Sequence, residues 1–94
     1  MKTVICDIDG TIFEYVKGGH YDLVYKNAKI LPGVKEKFQE WEVKGCRIVL
    51  ITGRRESVRE VTERELRRNG IPFDMLIMGF ADPGRVFIND INWK

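Results

Sequence analysis

Four short apolar segments of strand type constrain the fold of this chain more than any other feature of its sequence. The first, second and fourth are nearly continuous apolar runs, a pattern typical of strands buried on both faces of a parallel sheet. Helical patterns fill two of the intervals, and this alternation of strand and helix indicates an α/β domain. The four segments are Thr3 to Ile8, Arg47 to Thr52, Met75 to Met78 and Arg85 to Asn89.

The first helical pattern follows Leu31-Pro32-Gly33 and has its apolar residues on one face. Gly45 stands where a left-handed residue commonly ends a helix. We therefore predict a helix between the first two strands. Its apolar face consists of Val34, Phe38 and Trp41.

The second helical pattern, between the second and third strands, is the clearest of the chain. Ser57 and Glu60 have the spacing of a capping box, which predicts that the helix begins there. Gly70 predicts its end. Two favourable pairs of charges four residues apart support the helix, namely Glu60–Arg64 and Glu63–Arg67.

The segment from residue 12 to residue 30 follows neither the strand pattern nor the helix pattern. It is aromatic and irregular, with Gly18-Gly19 near its middle. Because Gly-Gly favours a hairpin turn, we predict a small β-flap over residues 12–30. A flap at this place hangs over the end of the first strand, where it can close on a substrate.

Two carboxylates follow the first strand in the motif Asp7-Ile8-Asp9-Gly10-Thr11. In a parallel sheet, ligands collect outside the carboxyl ends of the strands. Asp7 is therefore predicted to attack a phosphate as the nucleophile, and Asp9 to act as general acid and base. A divalent cation would offset the repulsion between carboxylate and phosphate, and the Ile8 carbonyl is a suitable ligand for Mg²⁺. Gly10 permits the chain to turn sharply after the strand.

Two further strands are predicted to end in polar residues at the same edge of the sheet. Thr52 and Gly53 follow the second strand, where a hydroxyl and an amide can hold phosphate oxygens. Asp90 follows the fourth strand and would complete the metal shell with Asp7 and Asp9.

These motifs resemble those of the haloacid dehalogenase superfamily of phosphohydrolases. The first family motif is matched in full by Asp7 to Thr11, the second by Thr52, and the fourth in part by Asn89-Asp90. The resemblance implies a three-layer α/β/α Rossmann-like parallel sheet, reduced to a minimal core without an inserted cap domain. It also implies an Mg²⁺-dependent phosphomonoester hydrolase that forms an aspartyl-phosphate on Asp7, with Asp9 as acid and base and with Gly10 and Thr11 near the substrate.

The third family motif is a lysine or arginine that steadies the nucleophile and the phosphate, and the chain has no lysine between Lys44 and Lys94. Arg85 is the nearest substitute, and Arg54 is the other candidate. An arginine keeps the charge but not the compact ammonium geometry. Arg54 is also predicted as a substrate contact, although Arg54-Arg55 fits an exposed pair more readily.

The link between the third and fourth strands is short. If the fourth strand lies beyond the first, residues 79–84 must cross about three strand spacings, roughly 14 Å, and return along about 15 Å of strand. These two displacements are perpendicular, so the ends of the link lie about 21 Å apart, whereas the extended link spans about 20 Å. We therefore expect a minimal core with one sheet face partly bare, and either low stability or a partner subunit.

The length and net charge of the chain limit the number of domains and the kinds of partner that it can have. The 94 residues predict one domain over residues 1–94, and a net charge of +2 is too small to indicate nucleic acid or a membrane as partner. We expect a small phosphate ester, such as a sugar phosphate or nucleotide, and leave a homo-oligomer open. No segment resembles a signal peptide or a membrane span, and the spacing of Cys6 and Cys46 favours reduced thiols of a cytoplasmic protein.

Two alternative functions accompany this prediction. A catalytically silent phosphate- or metal-binding domain of the same fold is favoured by the missing lysine and by Asn89. A receiver-type phospho-acceptor would carry its acceptor aspartate after the third strand. Met78-Gly79 stands there instead, which argues against a receiver.

Overall fold

The computed structural model describes residues 2–14, 29–80 and 84–90 of the chain. Its centre is a parallel sheet with the strand order β1-β2-β3. Helix α1 connects the first two strands, and a short 3₁₀ turn leads into helix α2 before the third. This alternation confirms the predicted α/β class. The bounds are β1 Thr3–Asp7, α1 Val34–Val43, β2 Arg47–Ile51, the turn Glu56–Val58, α2 Arg59–Arg68 and β3 Met75–Ile77.

The strand register brings the carboxyl ends of all three strands to one edge of the sheet. Asp7 is the partner of Ile51, and Ile51 is the partner of Ile77. The residues that follow these three positions therefore meet at the same edge, which we call the carboxyl edge.

A single hydrophobic core lies on one face of the sheet. Side chains alternate along a strand, so Ile48 and Leu50 of β2 share a face with Leu76 of β3. All three are buried in one cluster with Phe38 of α1 and Leu66 of α2. Both helices therefore cover this face, as right-handed crossovers between neighbouring parallel strands require.

The opposite face of the sheet carries no helix among the described residues. Ile5 is 61% exposed there, and Met75 is 45% exposed. The described part of the chain thus contains two of the three predicted layers, and its second face is partly bare, as the short link led us to expect. No helix in this part is long and apolar enough to cross a membrane.

The predicted flap is described only at its two ends, and residues 15–28 lie outside the described residues. Phe13 forms an antiparallel bridge with Ile30. The Glu14 amide donates to the Lys29 carbonyl at 2.8 Å, and the Leu31 amide donates to the carbonyl of residue 12 at the same distance. The ends of the segment therefore meet as the two sides of a hairpin would.

The predicted strand Arg85 to Asn89 is wrong for this structure. The segment is irregular and is not paired with any described strand. Its apolar side chains lie in solvent, with Val86 82%, Phe87 67% and Ile88 93% exposed. An apolar run predicts burial, but burial beside β1 requires a return to the amino end of that strand, for which the link is too short.

The capping box predicted at Ser57 is also wrong. Helix α2 begins at Arg59 after Val58, and no side chain caps it. The preceding turn is closed by the Val58 amide, which donates to the Arg55 carbonyl at 3.0 Å. The buried Val58 side chain fixes this turn, so the helix begins later than the polar pattern predicts.

The other predicted features of the helices are confirmed. Gly45 and Gly70 have φ angles of +76° and +70°, which glycine adopts readily at a helix end. The ion pairs Glu60–Arg64 and Glu63–Arg67 both form at 3.1 Å.

Candidate active site

A tight turn follows β1 and holds the first motif at the carboxyl edge. Gly10 has a φ of +83°, a conformation that favours glycine, and its amide donates to the Phe13 carbonyl at 2.8 Å. The turn places Asp7 and Asp9 at the same edge of the sheet, as predicted.

The Ile8 carbonyl, predicted as a metal ligand, instead stabilises this turn. It accepts hydrogen bonds from the amides of Thr11 at 3.2 Å, Ile12 at 2.8 Å and Phe13 at 3.2 Å. A carbonyl oxygen has two lone pairs, and these three donors occupy both. The predicted contact of the Ile8 carbonyl with a metal ion stays a prediction, and in this structure the carbonyl is engaged by the turn.

Asp7 lies at the open side of the site with its side chain 36% exposed. Its Oδ1 accepts a hydrogen bond from the Ile8 amide at 2.8 Å, which fixes the rotation of the carboxylate. Its Oδ2 lies 2.9 Å from Nη1 of Arg85. The guanidinium of Arg85 also lies over the Phe80 ring, 5.8 Å from its centroid. The structure thus brings the predicted lysine substitute to the predicted nucleophile.

Asp9 is held from the inner side by Arg54. Nε of Arg54 donates to Oδ2 of Asp9 at 3.0 Å, and Nη2 donates to Oδ1 at 2.6 Å. Two parallel bonds between a guanidinium and a carboxylate fix both distance and orientation. The Asp9 side chain is 23% exposed, so one side of its carboxylate still faces the carboxyl edge.

Arg54 corrects one prediction, because it is not an exposed residue, and its predicted contact with the substrate stays a prediction. The whole residue is only 2% exposed. Besides its bonds to Asp9, its Nη1 donates to Oγ1 of Thr62 at 3.0 Å, and its guanidinium lies 6.0 Å from the centroid of the Phe13 ring. Arg54 therefore positions Asp9 from inside the protein.

Thr62 is a site residue that our sequence reasoning missed. It is fully buried on α2, where it orients the far side of the Arg54 guanidinium. One signal was present in the sequence, since Thr62 lies four residues after Val58 and four before Leu66 on the apolar stripe of the helix. A hydroxyl in such a stripe needs a buried polar partner.

Thr52 joins Asp9 to the loop after β2. Its hydroxyl donates to Oδ2 of Asp9 at 3.4 Å and accepts the Arg54 amide at 3.1 Å. Its carbonyl accepts the amide of Phe80 at 2.9 Å, which holds the loop after β3 beside the site. Thr52 is fully buried, so in this structure it supports Asp9, and its predicted contact with phosphate stays a prediction.

The remaining predicted phosphate contacts lie at the rim of the site. Gly10, Thr11 and Gly53 are all exposed on turns that follow β1 and β2. Their positions leave them open to a ligand at the carboxyl edge, and their contact with phosphate stays a prediction.

The predicted metal ligand Asp90 is not gathered with Asp7 and Asp9. Within the described ranges, no three acidic, histidine or cysteine side chains come together in a group that could hold a metal ion. Residues 84–90 form no strand in this structure, and the role of Asp90 as a metal ligand stays a prediction.

Cys6 directly precedes Asp7, the predicted nucleophile, but its own thiol is poorly suited to act as a nucleophile. Burial raises the pKa of its thiol above the ordinary value, and the nearby charge of Asp7 raises this pKa further. A thiol with a raised pKa is protonated at neutral pH, and only the thiolate is strongly nucleophilic. The chemistry of this edge therefore belongs to the carboxylates.

The parallel sheet and the paired aspartates at its carboxyl edge define a protein of the haloacid dehalogenase superfamily. The family model of the polynucleotide kinase PNKP phosphatase domain matches residues 1–85. The chain belongs to this family. Among curated proteins, none matches the sequence.

Solved structures support the same fold. A chain in the Pnkp1/Rnl/Hen1 complex is 29% identical with a TM-score of 0.72, and the match covers 90% of this chain and 30% of that one. A protein from Vibrio cholerae is 21% identical with a TM-score of 0.71, over 95% of this chain and 80% of that one. A D,D-heptose 1,7-bisphosphate phosphatase from B. bronchiseptica was solved with magnesium and phosphate. It is 18% identical with a TM-score of 0.62, and the match covers 88% of this chain and 52% of that one.

Proposed function

We propose that this chain hydrolyses phosphomonoesters through an aspartyl-phosphate on Asp7. The observation that carries the proposal is that the two aspartates lie in different environments. Asp7 is partly exposed to solvent and pairs with Arg85, whereas Asp9 is oriented from inside by Arg54 and Thr52. Two carboxylates in such different environments can take different roles.

In the first step, an oxygen of Asp7 bonds to phosphorus while the bond from phosphorus to the ester oxygen breaks. Asp9, which must be protonated when the phosphate ester is bound, gives this proton to the leaving oxygen, so an alcohol departs. In the second step, Asp9 takes a proton from water as the water oxygen bonds to phosphorus, and the bond to Asp7 breaks. Phosphate leaves, and both carboxylates return to their starting states. Arg85, beside Asp7, supplies positive charge to the transferring group.

The donor set at this edge suits Mg²⁺, which commonly binds through one or two carboxylates together with phosphate oxygens. Asp7 and Asp9 would hold the ion, and Asp90 stays a proposed third ligand. The chemistry it supplies is neutralisation of charge between the carboxylate and the phosphate.

Two substrate classes follow from two different observations. The net charge of +2 favours a small phosphorylated metabolite, such as a sugar phosphate or a nucleotide. The family description names a polynucleotide kinase, which makes a phosphorylated polynucleotide end the second candidate. The chain spans only 30% of the length of its relative in the Pnkp1/Rnl/Hen1 complex, so the activity of the whole protein is part of the proposal. We retain the cytoplasm as the proposed location.

The test is phosphate release from a panel with Mg²⁺ present. The panel contains an aryl phosphate, sugar phosphates, mononucleotides, and oligonucleotides with a phosphate at either end. We expect turnover of the aryl phosphate and of one natural class, and no turnover by Asp7→Asn. Asp74→Asn is the matched control, because Asp74 lies before β3 at the opposite end of the sheet.

A catalytically silent domain is the competing function. It is favoured by the ion pair between Arg85 and Asp7, which occupies one oxygen of the proposed nucleophile. If the wild type binds Mg²⁺ in calorimetry but releases phosphate from no member of the panel, the silent function replaces the proposed one.

A further inference from the structure

The two hydrogen bonds between Arg54 and Asp9 fix these side chains to each other but do not by themselves fix the pair in the protein. Nε and Nη2 of Arg54 donate to the two carboxylate oxygens of Asp9 at 3.0 and 2.6 Å. Such a fork determines the geometry within the pair. An arginine side chain is long and has many rotamers, so the place of the pair depends on the other contacts of the guanidinium.

Thr62 contacts the guanidinium at a different edge from Asp9. Nη1 of Arg54 donates to Oγ1 of Thr62 at 3.0 Å, and both residues are almost completely buried. A guanidinium can only donate hydrogen bonds, so the threonine oxygen is the acceptor. The carboxylate thus holds two nitrogens of Arg54 and the hydroxyl holds the third, which restrains rotation of the guanidinium plane.

Helix α2 holds the Thr62 hydroxyl at a fixed place relative to the sheet. Leu66, one turn later on the helix, is fully buried in the core. At the start of the helix, Nη2 of Arg59 donates to the Leu76 carbonyl of β3 at 3.0 Å. A buried β-branched side chain also has few available χ1 rotamers. The packing of α2 on the sheet therefore determines where Thr62 holds Arg54.

We propose that Thr62 is a positioning residue for Asp9 as the general acid of the reaction. The inference rests on the proposed function, in which a proton moves from Asp9 to the ester oxygen as the bond from that oxygen to phosphorus breaks. Thr62 is fully buried, so it acts through Arg54 and not by contact with the substrate. Proton transfer requires the two oxygens within hydrogen-bond reach, and a displacement of about 1 Å can slow a step about 10²-fold.

The proposal predicts that the effect of Thr62 depends on the leaving group. An alkyl alcohol is a poor leaving group and needs the proton from Asp9, whereas a nitrophenolate leaves without one. Loss of the Thr62 hydroxyl should therefore slow the cleavage of an alkyl phosphate more than that of nitrophenyl phosphate. A merely structural role would lower both rates by the same factor, because it would reduce the amount of folded protein.

The first experiment measures kcat/KM for both substrates with Mg²⁺ present. Thr62→Val keeps the shape of the side chain without the hydroxyl, and should lose about tenfold with the alkyl phosphate but less than about twofold with nitrophenyl phosphate. Thr62→Ser keeps the hydroxyl and should keep the wild-type ratio of the two values. Thr3→Val is the matched control with the wild-type ratio, because Thr3 is exposed at the start of β1, opposite the carboxyl edge.

The ratio of the two kcat/KM values does not depend on how much of a variant is folded. Thr62→Ala also lacks the hydroxyl, so it should change the ratio in the same direction and replaces Thr62→Val if that variant does not fold. Equal losses with both substrates, or the same change of ratio in Thr62→Ser as in Thr62→Val, would overturn the proposal.

The second experiment needs no activity and tests the contact by NMR. The Nε–H group of Arg54 is buried and bonded to Asp9, so its proton should exchange slowly with water in the wild type. We expect the same slow exchange in Thr62→Ser and exchange at least about tenfold faster in Thr62→Val. Equal exchange rates in the two variants would overturn the positioning of Arg54 by Thr62. Faster exchange in Thr62→Val alone, together with a wild type that hydrolyses no phosphomonoester, would support this positioning and contradict the proposed function.

Discussion

At the scale of single residues, the guanidinium of Arg54 organises the candidate site. It is buried, bonds both oxygens of Asp9, and is itself held by Thr62. Burying the charge of Arg54 lowers the stability of the fold unless Asp9 is present as its partner. Leaving the Asp9 carboxylate without Arg54 is destabilising for the same reason. Asp9 and Arg54 therefore act as one unit.

Replacing Arg54 tests this unit. Arg54→Met leaves a partly buried Asp9 charge without its partner, so we expect a loss of about 3 kcal/mol in the free energy of unfolding, measured in urea. We also expect turnover to fall roughly 10²-fold, because Asp9 loses its fixed orientation. Arg55→Met, at the exposed neighbouring position, is the control and should change stability by less than about 0.5 kcal/mol.

A second substitution separates the structural role of Arg54 from its catalytic one. Adding Asp9→Asn to Arg54→Met removes the unpaired charge, so part of the lost stability should return. Activity should not return, because the acid and base is gone. Equal stability and activity of Arg54→Met and Arg55→Met would contradict the assigned role of Arg54.

The sequence predicted which residues form this site better than it predicted what they do. Asp7, Asp9 and Thr52 meet because strand ends of a parallel sheet share one edge, which the pattern of apolar runs already indicates. Arg85 reaches Asp7 from a segment that forms no strand, and the pattern of apolar runs does not indicate this contact. The role of Arg54 depends on the direction of its side chain after a turn, and Arg54-Arg55 carries no sign of which arginine points inward. That choice is made by tertiary contacts with Asp9 and Thr62.

At the scale of elements, helix α2 begins through packing instead of capping. The turn Glu56–Val58 precedes the helix, and no side chain caps its first residues. A buried valine at the N-cap position explains why the polar signal of Ser57 and Glu60 was misleading.

Ser57→Ala therefore should leave stability nearly unchanged. Removing a true capping serine costs about 1 kcal/mol, whereas we expect a change below about 0.5 kcal/mol in urea unfolding. Leu66→Ala is the comparison on the same helix and should cost about 3 kcal/mol, because Leu66 is fully buried in the core. A cost of 1 kcal/mol or more for Ser57→Ala would show that the capping box forms after all.

The fourth strand marks the limit of what an apolar pattern can predict. Arg85 to Asn89 resembles the other strands in composition, yet its pairing depends on whether residues 79–84 can reach the far end of β1. That is a question of chain length, because the extended link spans about 20 Å and the return to the far end of β1 needs about 21 Å. The apolar pattern of a segment predicts that it can form a strand. The length of the link before it decides which strand it can pair with.

At the scale of the whole molecule, the two described helices lie on one face of a small sheet, and the other face is partly exposed in the described part of the chain. The site stands at the carboxyl edge of this half-covered sheet. In its inner half, buried side chains hold Asp9 by hydrogen bonds. These side chains are Arg54 and Thr52, and Thr62 in turn holds Arg54. Its outer half, Asp7 with Arg85, faces solvent and receives the substrate in our proposal.

The phosphoryl group that we propose on Asp7 can be trapped on the protein and located. An aryl phosphate has a good leaving group that needs no proton, so Asp9→Asn should still permit the first step while slowing the attack of water. After acid quenching, mass spectrometry of Asp9→Asn should find one phosphoryl group on the peptide that contains Asp7, and hydroxylamine should remove it, as it does from acyl phosphates. A phosphoryl group on another residue, such as Cys6, or no phosphorylated protein at all while the wild type turns over the same substrate, would contradict an aspartyl-phosphate on Asp7.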